Sequence, residues 1–206
     1  MYQTIVFVDF DGTITMEDTL EGAIRLFTPE EKYSAMRQKL VDGQLTLSQV
    51  VRCAFDGAPP ERLPAMLDYV DKVALRPGFP EFLDAMEKRH IPVVVISGGI
   101  RQFVECKLAP FRHRLLGLHA VDLDVSGPSM RLISPCDDGN ELLKKTAVME
   151  LYSCGHAIGI GDSFTDRNMA LAADTVFARD ELARYLQKLG RPYVPYESFF
   201  DVIQAV

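Results

Sequence analysis

Three stretches of the chain end an apolar run on residues suited to handling phosphate. Val6-Phe7-Val8 leads into Asp9-Phe10-Asp11-Gly12-Thr13, which places two carboxylates on alternate residues. Val95-Ile96 leads into Ser97-Gly98-Gly99, a hydroxyl followed by two unencumbered backbone amides. Ile158-Gly159-Ile160-Gly161 leads into Asp162-Ser163-Phe164-Thr165-Asp166, with two further carboxylates. Ordinary structural roles exist for parts of these stretches: Asp11-Gly12 as a turn, Ser97 as a helix cap, Ser163 and Asp166 as a capping box. They leave Asp9 and Asp162 unexplained, because a charge set directly after an apolar run is costly to desolvate without a cation. Lys144 and Lys145 lie near the start of an expected helix over 141–153, with Asn140 as its cap, where the helix dipole opposes cations. Either lysine would be favoured there by a nearby anion.

Charge arithmetic connects these pieces. If Asp9, Asp11, Asp162 and Asp166 converge on a phosphate monoester of charge about −2, each pair of like charges at about 4 Å costs roughly 4 kcal/mol at an effective dielectric near 20. Cations are therefore required. One Mg²⁺ and one lysine supply them, and carboxylate and phosphate oxygens are the hard ligands that Mg²⁺ prefers.

The elements that must position these residues are legible from period. Continuous apolar runs at Thr4–Val8, Pro92–Ser97, His156–Gly161 and Thr175–Ala178 read as strands buried on both faces. Helical patterns at about 79–90, 99–109, 141–153, 165–173 and 180–189 alternate with them. This alternation predicts an α/β fold, a doubly wound parallel sheet whose carboxyl edge forms the ligand crevice. Residues 17–74 break the rhythm with three or four short helices and no strand, and residues 117–135 suggest a strand and a small hairpin. The expected organisation is a core of residues 1–16 and 75–206 with a small helical cap, residues 17–74, inserted in it. In the insertion, Phe27, Met36, Phe55 and Met66 read as internal packing in preference to a pocket for an apolar ligand.

Composition bounds the partners. At 206 residues, 48% of them hydrophobic, the chain can bury a sizeable core. A net charge of −7 speaks against a broad nucleic-acid or anionic-membrane footprint. No apolar run approaches the roughly 18 residues of a membrane span, and Asp9 and Asp11 interrupt any leader-like start, so a cytoplasmic location is expected. Cys53, Cys106, Cys136 and Cys154 are too scattered for a zinc site or a disulfide framework and read as buried or incidental thiols.

Taken together and in order, Asp9-Phe10-Asp11-Gly12-Thr13, Ser97-Gly98-Gly99, Lys144 and Gly161-Asp162-Ser163-Phe164-Thr165-Asp166 resemble the four motifs of the haloacid dehalogenase superfamily of phosphatases. The helical insertion resembles the cap of its phosphoserine-phosphatase-like branch. The resemblance implies a Rossmann-like core, a Mg²⁺ cofactor and a small phosphorylated metabolite as substrate, on a monomer or homodimer. It implies that Asp9 is the nucleophile, that Asp11 is the general acid and base, and that Asp9, Asp11 (through its carbonyl) and Asp162 hold the metal. Asp166 would support the metal or fix the lysine. Ser97, Gly98 and Lys144, with Lys145 as the alternative lysine, would bind the phosphoryl group. Asp18 and Arg52 stand near the positions that contact substrate from the cap. Within the family, the opening Asp9–Met16 and the segment Val176-Phe177-Ala178-Arg179-Asp180 resemble the methionine-salvage branch, which would make the substrate an enol phosphate. Phosphoserine or another small-amine phosphate is the alternative, and a phosphoacceptor signalling domain is the alternative of another class.

Overall fold

A computed structural model of the chain describes residues 1–134, 137, 139 and 141–206. Cys136 and Asn140, named above, lie outside the described residues. In chain order the elements are β1 (Tyr2–Val8), α1 (Thr19–Phe27), α2 (Glu30–Val41), α3 (Leu47–Phe55), α4 (Leu63–Lys72), α5 (Phe79–Lys88), β2 (Val93–Ile100), α6 (Arg101–Leu108), β3 (Gly117–Asp124), β4 (Arg131–Ile133), α7 (Lys145–Met149), β5 (Cys154–Gly161), α8 (Arg167–Ala172), β6 (Thr175–Ala178), α9 (Asp180–Lys188), β7 (Val194–Pro195) and α10 (Phe199–Ala205).

Among the described residues the strands form one seven-stranded sheet in the order β4-β3-β2-β1-β5-β6-β7, parallel except for the antiparallel β3–β4 pair. β1 lies at its centre, with Val8 opposite Val95 of β2 and Ile160 of β5. The pleat of β1 turns Ile5 and Phe7 to one face of the sheet and Val6 and Val8 to the other. The first face is covered by α7, α8 and the helical insertion, through residues such as Val148, Met169 and Val51. On the second, Phe79 and Phe82 of α5 meet Phe199 of α10, with ring centroids 5.2 and 5.0 Å apart from Phe199. Both faces are therefore dry, which is why the strands read as unbroken apolar runs.

The structure corrects three of the expectations and bears out the strand and small hairpin expected over 117–135. β2 runs through Ser97, Gly98 and Gly99 to Ile100, with a register shift against β3, so this motif ends a strand and α6 begins only at Arg101. The helix expected over 141–153 is confined to Lys145–Met149, because Leu142 and Leu143 are buried outside it and mimic a helical period. The segment near 117–135 supplies β3, paired in parallel with β2, and the short edge strand β4. β7 and α10 had no expected counterpart; two residues ending on a proline carry too little period to be read as a strand.

Four helices, α1–α4, occupy the stretch between β1 and α5. The chain leaves and re-enters the sheet side by side: Thr15 bridges Leu75, Met16 N–H donates to the Ala74 carbonyl at 2.9 Å, and Arg76 N–H to the Ile14 carbonyl at 2.7 Å. At the far side, α3 is tied to β4, where Leu132 N–H donates to Asp56 at 2.8 Å and Gly57 N–H to the Met130 carbonyl at 3.0 Å. No described helix is long and apolar enough to cross a membrane.

Candidate active site

The carboxyl ends of β1, β2 and β5, three neighbours at the centre of the sheet, bring Asp9, Asp11, Ser97, Gly98 and Asp162 to one edge. Asp9, Asp11, Gly98 and Asp162 line a single cleft there, together with Asp18 and Arg179. Asp9 follows β1 directly, its N–H donating to the Ile160 carbonyl at 3.0 Å. The chain then turns at Gly12, whose φ of +76° suits glycine. A Cβ at that position would also stand 2.5 Å from Asp162 Oδ2, so the close approach of these two loops requires glycine twice over.

Carboxylates and their partners interlock. Among the described residues, Lys145 is the one lysine or arginine that forms an ion pair with any of the four aspartates. Its Nζ donates to Asp9 Oδ1 and, at 2.6 Å, to Asp166 Oδ1. Asp166 is fully buried, and its second oxygen accepts from the backbone N–H groups of Asp162 and Ser163, each at 3.0 Å. The capping box at Ser163 thus forms as local sequence suggests, and the same carboxylate also fixes the lysine. Asp162 accepts from Thr13 Oγ1 at 2.8 Å, and Asp11 accepts from the Thr19 N–H at 2.8 Å and from the Thr19 hydroxyl. Ser97 is buried; its hydroxyl accepts from Gly99 N–H at 2.9 Å and donates to Asp11 at 3.5 Å.

Lys144, the lysine first assigned to the site, is corrected to Lys145. Lys144 is exposed and precedes α7, whereas Lys145 is 1% exposed at its first helical position and points into the aspartates. The late start of α7 decides between the two adjacent residues. Arg52 is corrected as well: it pairs with Asp137 at 2.7 Å and Asp56 at 3.5 Å and donates to the Leu132 carbonyl, away from the cleft. Asp18 does line the cleft while capping α1, accepting from Glu21 N–H at 2.7 Å.

Two contributors were not singled out from sequence. Thr19 opens α1 and holds Asp11. Arg76, 3% exposed, donates Nε to the Thr13 carbonyl at 2.8 Å, Nη2 to the carbonyls of Gly12 and Thr15, and Nη1 to that of Glu197 at 3.3 Å. It clamps the whole turn after Asp9 by its carbonyls. A charged residue that opens the otherwise loop-like Arg76-Pro77-Gly78 was the available signal.

The electrostatics leave the site short of positive charge. Burial, reinforced by Asp166, pushes the Asp9 carboxyl well above the usual carboxylate range despite Lys145. Burial and Asp166 likewise push Asp162 up to about 7. Burial raises Asp11, against the hydrogen bonds from Thr19 that favour its charged form. Burial opposes the charge on Lys145, but Asp166 and Asp9 outweigh it and its pKa is raised. Oxygen atoms of Asp9, Asp162 and Asp166 lie within 4.8 Å of one another. An all-oxygen donor set with surplus negative charge fits a hard divalent cation such as Mg²⁺. Asp166, with both oxygens engaged by Lys145 and the two amides, is placed to orient neighbours, which leaves Asp9 and Asp162 as the donors open to a metal.

Comparison with known proteins agrees with this architecture. Residues 6–171 match the family of haloacid dehalogenase-like hydrolases. Over 200 residues, covering 96% of this chain and 95% of the relative, the sequence is 37% identical to a 2-hydroxy-3-keto-5-methylthiopentenyl-1-phosphate phosphatase of Microcystis aeruginosa. It is 33% identical to the protein of the same name from Geobacillus kaustophilus, covering 99% of this chain and 96% of that one. Among solved structures, a phospho-aspartyl intermediate analogue of phosphoserine phosphatase superposes over the full length of both chains with a TM-score of 0.72 at 16% identity. A hydrolase of the same family from Salmonella enterica serovar Typhi gives a TM-score of 0.74 at 21% identity, covering 96% of this chain and 69% of the other. At such identities the structural likeness concerns the fold.

Proposed function

Because this chain belongs to the haloacid dehalogenase-like hydrolases, we propose that it is a Mg²⁺-dependent phosphomonoester phosphatase that works through an aspartyl-phosphate at Asp9. The observation that carries the reading is the convergence of Asp9, Asp11 and Asp162 in one cleft, with a single buried lysine behind them. Lys145 occupies Asp9 Oδ1, leaving the other oxygen to attack phosphorus as the bond to the ester oxygen breaks. Asp11, whose raised pKa favours a held proton, delivers it to the departing alkoxide. It then takes a proton from the water that attacks the phosphorus, and the bond to Asp9 breaks to release inorganic phosphate. Thr19 and Ser97 hold Asp11 in place, and the Gly98 amide and Lys145 stand on the phosphoryl side. A Mg²⁺ held by Asp9, Asp162 and the Asp11 carbonyl would neutralise the charge of the transferring group.

For the substrate we infer the methionine-salvage enol phosphate, 2-hydroxy-3-keto-5-methylthiopentenyl-1-phosphate, on the strength of relatives of that name that match along almost the entire chain. The phosphoserine alternative loses support because Arg52, the cation it would need in the cap, is committed to Asp137 and Asp56. Residues 17–74 serve in this reading as the cap that excludes water. The test is a comparison of kcat/KM for the enol phosphate, phosphoserine, phosphoethanolamine and phosphocholine with Mg²⁺. Preference for the enol phosphate by at least about tenfold, or 1.4 kcal/mol of transition-state binding, is expected. Equal slow rates on all four would reject the substrate and keep the chemistry.

A further inference from the structure

A second cavity, of about 160 Å³, lies in the helical insertion beside the catalytic cleft. The two share Asp18, Leu20, Leu47 and Phe164, so the cavity is a side branch of the cleft. Phe164 is the link: it sits in the loop between Asp162 and Asp166, is 39% exposed, and reaches the cap residues from the catalytic side. The inner wall is formed by Ile24, Tyr33, Met36 and Val50, all buried. Met36, expected to be internal packing of the insertion, therefore also faces open space.

The wall has little left to offer a polar guest. The Tyr33 hydroxyl is spent on Glu21, and Asp18 accepts from the Glu21 N–H at 2.7 Å. The remaining polar lining groups, Glu21 and Arg37, are exposed at the rim. A guest would meet the Tyr33 ring, the Met36 thioether and aliphatic groups. An apolar cavity of about 150 Å³ accommodates a molecule the size of benzene, so this one has room for an unbranched tail of several heavy atoms. Sulfur packs favourably on aromatic rings, which suits a thioether end beside Tyr33.

We propose that this cavity is the tail subsite of the enzyme, taking the unbranched alkyl or thioether end of a phosphomonoester whose phosphoryl group lies at Asp9. The proposal rests on the phosphatase reading above and adds the residues that select the substrate: Ile24, Tyr33 and Met36, with Phe164 and Leu47 at the passage between the two spaces. Polar-tailed esters such as phosphoserine would gain nothing from it.

The experiment uses n-alkyl phosphates from ethyl to hexyl with the Mg²⁺-loaded enzyme. In the wild type, kcat/KM should rise roughly fourfold for each methylene that enters the cavity and then level off. Met36→Trp, which fills the space, should bring the hexyl-to-ethyl ratio of kcat/KM close to one. Ile24→Ala, which enlarges the space, should move the preferred length upward, and it decides the matter if the tryptophan variant fails to fold by circular dichroism. Hydrolysis without length dependence in the wild type would overturn the tail subsite alone. A length dependence unchanged in the folded variants would place the tail elsewhere and equally overturn it. Absence of hydrolysis for every alkyl ester and for the enol phosphate alike would instead remove the phosphatase reading on which the proposal stands.

Discussion

Substituting Lys145 and Lys144 separately by methionine tests how the site is built. Lys145 Nζ lies between Asp9 and Asp166, both buried, and Met keeps most of its volume while removing the charge. Deleting one partner of a buried ion pair costs about 3–5 kcal/mol, because the other charge is left without compensation. Here two carboxylates lose their shared cation; Asp9, whose carboxyl burial already raises, can take up a proton in response, which places the expected loss at the lower end, about 3 kcal/mol. For a domain of this size each kcal/mol moves the melting temperature by about 2–4 °C, so Lys145→Met should melt at least about 6 °C below the wild type in EDTA. Lys144 is exposed, and its replacement should stay within about 0.5 kcal/mol. In turnover, loss of a charged donor at the transferring group should lower kcat by about 10²–10³ for Lys145→Met and leave Lys144→Met near the wild type. Thermal melts and steady-state kinetics on the pair read both effects. If Lys145→Met melts with the wild type while Lys144→Met loses activity, the placement of α7 and the electrostatic argument built on it are wrong.

Two other predictions follow from the same geometry. Arg76→Met strands the carbonyls of Gly12, Thr13 and Thr15, and should cost at least about 2 kcal/mol in urea unfolding along with a fall in kcat, with Arg76→Lys intermediate because an ammonium cannot fork across three acceptors. Asp162, pushed up to about 7 by burial and Asp166, binds its proton more tightly folded than unfolded. Its stabilising contribution is therefore present below the unfolded pKa near 4 and is lost as pH rises through 7. Metal-free protein should accordingly melt at a higher temperature at pH 5 than at pH 8, and Mg²⁺ should raise the pH 8 value most; no pH dependence in EDTA would contradict the charge surplus.

Much of the site was legible because its residues violate local rules. Asp9 and Asp162 are charges at the ends of apolar strands, and only a shared ligand at the sheet edge reconciles them with burial. What was not legible turned on phase and length. Lys144 and Lys145 differ by one residue, and the choice depends on where α7 starts, which Leu142 and Leu143 obscure by continuing an apolar pattern outside the helix. Ser97-Gly98-Gly99 looks like a strand-to-helix turn, yet β2 persists through it because Ile100 still pairs with Val121 of β3. Arg52 has the right type and nearly the right position for a substrate contact, but Asp137, distant in sequence, captures it. Arg76 satisfies carbonyls, not charges, and such partners leave no pattern in sequence.

The central claim is that Asp9 carries the phosphoryl group during turnover. Rapid acid quenching of the enzyme with Mg²⁺ and a radiolabelled phosphomonoester, followed by peptide mapping, tests it directly. A base-labile label is expected on Asp9 and absent from Asp9→Asn; with an aryl phosphate, whose leaving group departs without the Asp11 proton, it should accumulate in Asp11→Asn, which lacks the base that activates water. Turnover without any protein-bound label, or with the label on another residue, would contradict it.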